Sequence, residues 1–146
     1  MPHGLRELVA SRAHYRCEYC VAPEAIFNRP LDVEHVQPRE LGGPDEELNL
    51  ALACRSCNGS KYVAIEARDP GSGRMVRLFN PRTDSWDDHF ELDPSTAQII
   101  GRTDSGRATT ARLKMNNPRQ RAARRLWILY FSFPSAPSSR SQTDEA

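Results

Sequence analysis

The chain has no long hydrophobic run. Its longest, residues 126–131, falls far short of the roughly 20 apolar residues that a membrane-spanning helix needs. The opening residues 1–7 have no apolar core of the kind a secretory signal carries, so a cytoplasmic protein is expected. Hydrophobic residues fill only 38% of 146 positions, whereas proline is plentiful at 11. That excludes a large core, and a modest one would gain from a metal staple. No internal repeat is visible, and the length suits one domain with an appended subdomain. Cysteine is also scarce, at four residues, and none is left over: Cys17 and Cys20 form one Cys-x-x-Cys hook, Cys54 and Cys57 another. Two thiolate hooks separated by a long loop suit one tetrahedral zinc ion. Reduced cytoplasmic thiols make zinc the better expectation than disulfides.

The formal net charge of +1 hides an asymmetry. Residues 1–100 carry 11 Lys/Arg against 16 Asp/Glu, and residues 101–146 carry 9 against 3. Most of the basic excess lies within residues 102–125, where Asp104 is the only acid. Such a half suits a polyanion partner, although a solvated helix face would look the same.

Apolar spacing predicts a helix over residues 4–14, and alternation predicts strands over 31–36 and 48–52. Between them Pro38 and Gly42-Gly43 mark an irregular loop. Asn58 reads as the cap of a helix running to residue 64. Residues 69–73 read as a turn or linker, followed by strands at 75–79, 89–92 and 98–103 and a turn at 104–106. A helix is expected over 109–116, and another over 119–130 with Pro118 in its first turn. This gives an α+β fold in three parts: residues 1–68 as a core with the four-cysteine site, 69–131 as a mixed β/α extension with basic helices, and 132–146 as a disordered tail. Trp86, Phe90, Trp127 and Tyr130 read as core of the extension.

The segment between the hooks carries the chemistry. Glu34 offers hard oxygen donors suited to magnesium or manganese, and Asn58 could complete a two-ligand grip on that ion. Asp32 shares a strand face with Glu34 and is its rival. His35, beside the metal rather than on it, can take a proton from water, and Asn49 can hold the loop and orient His35. Together these residues describe a one-metal phosphodiester hydrolysis site. As a bare helix cap Asn58 would do nothing chemical, and an isolated His35 would be structural.

Glu34-His35 with Pro38, the Gly42-Gly43 pair, Asn49-Leu50 and Cys54-x-x-Cys57-Asn58 with Lys61 resemble the HNH endonuclease motif in its four-cysteine form. The resemblance covers residues 17–61 and implies a ββα-metal fold. It implies His35 as general base, Glu34 at the first metal-ligand position, Asn49 as the loop prop and Asn58 as the last motif residue, with Lys61 near the phosphate. It further implies a structural zinc, a catalytic magnesium or manganese ion, and DNA as partner, cut to leave a 5′-phosphate and 3′-hydroxyl. Arg107, Arg112, Lys114, Arg121 and Arg125 are expected to contact phosphates, with Arg119 and Arg124 on the same helical segment. No membrane or obligate protein partner is expected, and oligomeric state is open. The alternative is a zinc-stabilised module that binds nucleic acid without cutting it.

Overall fold

The computed structural model describes residues 3–131; the expected tail lies outside them. Helix α1 (His3–Arg12) buries Val9 and Ala10 against the first sheet. Arg12, at the negative end of the helix dipole, donates to the Leu50 carbonyl. The first cysteine hook follows. Strand β1 (Asp32–His35) then pairs antiparallel with β2 (Leu50–Ala53), Asp32 opposite Ala53 and His35 opposite Leu50. The second hook leads into α2 (Arg55–Lys61). Strand, loop, strand and helix thus form a ββα unit.

The loop between β1 and β2 is closed by sterics as well as hydrogen bonds. A Cβ on Gly43 would lie 1.7 Å from the Gln37 carbonyl oxygen, so only glycine allows the Gly43 N–H to reach the Pro38 carbonyl at 2.9 Å. The start of α2 departs from expectation. Its cap is the Cys54 sulfur, which accepts the Cys57 N–H, and Asn58 sits a full turn inside the helix.

Beyond α2, β3 (Glu66–Arg68) and β4 (Met75–Arg77) form a second antiparallel pair. Helix α3 (Trp86–His89) precedes a third, β5 (Phe90–Asp93) with β6 (Gln98–Gly101). Helix α4 (Asp104–Arg112) is capped by the Thr103 hydroxyl, which accepts the Gly106 N–H. Helix α5 (Pro118–Tyr130) is capped by Asn117, with Pro118 in its first turn. The turn read at residues 104–106 is therefore the first turn of α4. Gly106 occurs there because a Cβ would lie 2.1 Å from the His89 carbonyl oxygen.

The boundary expected at residue 68 falls inside the β3–β4 hairpin. Asp69 is fully buried there, and its carboxylate accepts both the Gly71 and Ser72 N–H groups. One contiguous buried cluster runs from the four cysteines through Leu78, Phe79 and Phe90 to Met115 and Trp127, so the extension shares the core of the ββα unit. Trp86 is half-buried and ties the two together through its indole N–H, 2.8 Å from the Tyr19 carbonyl. Tyr130, expected in the core, is exposed. No helix among the described residues is long and apolar enough to cross a membrane.

Candidate functional site

The two hooks converge. Cys17, Cys20, Cys54 and Cys57 are all buried, and their sulfur atoms lie within 4.8 Å of one another. A tetrahedral site with Zn–S bonds of about 2.3 Å places neighbouring sulfurs ~3.8 Å apart. Cys20 Sγ and Cys54 Sγ are separated by 3.7 Å, and all four thiols are free. Each hook also carries the backbone contact that supports a metal-bound thiolate: the Cys20 N–H points at Cys17 Sγ and the Cys57 N–H at Cys54 Sγ, both at 3.4 Å. The four cysteines are placed to hold a metal ion, and their donor chemistry fits zinc.

Packed this closely, the four sulfurs compete for their protons. Contacts with Cys17, Cys54 and Cys57 push the Cys20 thiol well below its ordinary value, whereas burial holds that of Cys17 well above. A central cation removes that competition by favouring all four thiolates. Helix α5 supplies the surroundings. Gln120 Nε2 lies 3.7 Å from Cys57 Sγ. Arg124, only 1% exposed, donates to the carbonyls of Ala97 and Met115, each at 2.8 Å, and its charge favours the Cys20 thiolate. Sequence reasoning grouped Arg124 with phosphate-binding arginines; burial excludes that role.

At the end of β1, His35 Nε2 lies 2.6 Å from Asp45 Oδ1. Arg39 grips the same carboxylate with Nε and Nη2, both at 3.1 Å. First Arg39 and then His35 hold the Asp45 carboxyl below the usual carboxylate range. With Nε2 turned to a carboxylate, the favoured imidazole tautomer keeps its proton there and leaves Nδ1 as the acceptor. Asn49 staples the loop from behind. Its Oδ1 accepts the Gln37 N–H at 2.9 Å, and its Nδ2 donates to the carbonyls of Gln37 and Pro44, both at 3.0 Å. Asp45 was not anticipated: in sequence it is one more polar residue in a turn.

The two carboxylates of β1 have different surroundings. Asp32 and Glu34 both face α2, but Glu34 is buried, with one oxygen accepting Tyr19 OH and the other Lys61 Nζ at 3.1 Å. Lys61 Nζ also reaches the carbonyls of His35 and Val36. The metal-ligand role expected of Glu34 thus meets a carboxylate whose oxygens are both engaged. The phosphate role expected of Lys61 meets an amine 1% exposed. Asp32 instead stands beside Asn58, its Oδ2 3.2 Å from the amide nitrogen. Two exposed guanidinium groups, of Arg55 and Arg29, approach the same carboxylate at 3.6 and 3.7 Å. Asp32 and Asn58 thus stand together at the start of β1 and in the middle of α2.

The buried Glu34–Lys61 pair makes a stability prediction. Lys61→Met leaves the Glu34 charge uncompensated, which should cost about 3–5 kcal/mol. Adding Glu34→Gln should restore part of the loss, since the pair repays its desolvation only while both partners remain. Urea unfolding checks this; a double variant weaker than Lys61→Met alone would contradict it.

The basic residues also separate. Arg107 is clamped on Asp69 through Nε and Nη2, both at 2.9 Å, and drives the Asp69 carboxyl far below the usual range. Arg121 donates to the Thr96 carbonyl, with Nη2 at 2.7 Å. Both guanidinium groups brace the fold through these contacts. Arg112, Lys114 and Arg125 remain exposed.

A family model described as HNH endonuclease matches residues 17–63, about a third of the chain. No curated protein and no solved structure matches the chain. All four cysteines, the stapled loop and α2 lie inside the matched span. Within a mixed helix and strand fold of small sheets, residues 17–63 therefore carry the match to the HNH endonuclease family, with four cysteines positioned to hold a metal ion.

Proposed function

We propose that this protein is a metal-dependent DNA endonuclease that hydrolyses phosphodiester bonds. The observation that carries the reading is His35, fixed by Asp45 at 2.6 Å at the edge of a loop stapled by Asn49. An imidazole oriented by a carboxylate is the arrangement a general base requires. His35 Nδ1 accepts a proton from the attacking water as its oxygen bonds to phosphorus. The bond from phosphorus to the 3′ oxygen breaks, and that oxygen leaves as a hydroxyl by taking a proton from solvent water, to which the imidazolium later releases its own. The products are a 5′-phosphate and a 3′-hydroxyl.

Asp32 and Asn58 are the residues assigned to a magnesium or manganese ion, which would supply electrostatic stabilisation of charge on the phosphate and the leaving oxygen. Glu34 is assigned to positioning: it pins Lys61 and with it the end of α2, while Asn49 keeps the loop in register. Zinc is the ion proposed for the cysteines, and the cytoplasm, where thiols stay reduced, is the proposed location.

Conversion of supercoiled plasmid by purified, zinc-loaded protein tests this reading. Nicking that requires magnesium or manganese is expected. Asp32→Ala should lower it about 100-fold or more, on the scale of removing one group that stabilises transition-state charge. Asp32→Ala protein that cuts at the wild-type rate, beside inactive and folded Glu34→Gln, would return the ligand role to Glu34. Folded wild type that binds DNA and never cuts would leave a binding module.

A further inference from the structure

We infer that the cleft where α2 meets the end of α4 seats an unpaired nucleotide, its base stacked on Tyr62 and its phosphates facing Arg112 and Lys114; this rests on the nuclease reading above. The cleft has a volume of about 630 Å³ and is lined by Gly59, Ser60 and Tyr62 on one side and Ala111, Arg112 and Lys114 on the other. That volume suits a nucleotide-sized ligand. No carboxylate lines it, so nothing there opposes the two cations.

Tyr62 is the reason to assign the cleft a ligand. Its backbone lies at φ 53° and ψ −118°, a conformation glycine adopts freely and residues with a Cβ avoid. The fold imposes it. The Tyr62 N–H closes α2 on the Asn58 carbonyl, and the Ala64 N–H turns back to the Lys61 carbonyl, both at 2.9 Å. Lys61 is meanwhile held by its buried amine, and Arg112 lies 3.4 Å from the Lys61 carbonyl. A bulky residue in such a position ordinarily recovers the strain by packing. Tyr62 does not: it is 71% exposed. Across the cleft Lys114 is exposed and also at positive φ, 54°. A strained Tyr62 that gains no burial points to a role outside the fold.

The chemistry of the three side chains selects the ligand. An exposed phenol ring offers a stacking face to any base, and two flanking cations match the phosphates on either side. A base can lie on that ring only when it is not paired in a duplex. The seat lies at the C-terminal end of the helix that carries Asn58, so single strands, flaps or gaps are the DNA forms that can use it.

Fluorescence anisotropy tests this with zinc-loaded full-length protein, magnesium omitted so that nothing is cut. The probes are a labelled oligothymidylate and an abasic strand of equal length. Wild type should prefer the strand with bases by about 5- to 150-fold, the equivalent of the ~1–3 kcal/mol that one stacked base contributes. Tyr62→Trp should keep the preference. Tyr62→Gly should lose it while melting no lower than wild type, since glycine relieves the strain. The double variant Arg112→Ala/Lys114→Ala should weaken both strands alike and reduce the salt dependence. Tyr62→Gly protein with the full preference overturns the inference, as does wild type that nicks plasmid yet binds both probes equally. Wild type that neither binds nor nicks DNA overturns the nuclease reading with it.

Discussion

Stripping the zinc, or replacing Cys57 by Ser, should unfold this protein at room temperature rather than merely inactivate it. Structural zinc in small domains contributes on the order of 10 kcal/mol or more. A single domain is stable by only about 5–15 kcal/mol, so the two are comparable. Here the effect reaches both halves of the described residues because all four cysteines belong to one buried cluster that the halves share. Arg124 extends the coupling. Its guanidinium is buried beside the sulfurs, and without thiolates it becomes a cation with only carbonyls for company. Arg124→Met should therefore weaken zinc retention and lower the melting temperature, though less than loss of a ligand. Circular dichroism and metal analysis read both effects together. A Cys57→Ser protein with native melting and no bound metal would show that the cysteines are not the staple.

The parts legible in sequence were those set by local rules. Alternation at Leu31, Val33 and Leu50, Leu52 marked the first two strands, and the paired hooks marked the metal cluster. Pro118 marked the start of α5. Boundaries shifted where a residue acts outside its usual habit. The cap of α2 is a cysteine sulfur rather than an oxygen, and Gly106 opens a helix because a carbonyl passes too close for a Cβ. Strand β3 has only three residues and no apolar alternation, so its pairing with β4 carried no local signal. The division between Asp32 and Glu34 was out of reach for a different reason. Alternation places both toward α2, and only tertiary packing decides which carboxylate meets Lys61 and which meets Asn58. The arginines teach the same lesson. Charge counting cannot separate Arg107, which is clamped on a buried acid of its own chain, from Arg125, which is exposed.

His35→Ala should remove metal-dependent nicking by about 10²- to 10⁴-fold, the usual contribution of a positioned general base, and leave the melting temperature close to wild type. The ring's one hydrogen-bond partner among the described residues is Asp45, on an exposed loop that Asn49 holds independently. Asp45→Asn should give an intermediate loss. An amide can still touch Nε2 but no longer selects the tautomer with Nδ1 free, and it cannot stabilise the imidazolium that forms. The acid side of the pH profile follows from Asp45. Its carboxyl is depressed by Arg39 and His35, so the contact is fully present above the ordinary carboxylate value and is lost only as pH falls through the depressed one. An acid limb near neutrality therefore does not report loss of the Asp45 contact, and it should persist in Asp45→Asn. Equal cutting by wild type and His35→Ala, in preparations matched for zinc, would exclude His35 as the base whatever the state of Asp45.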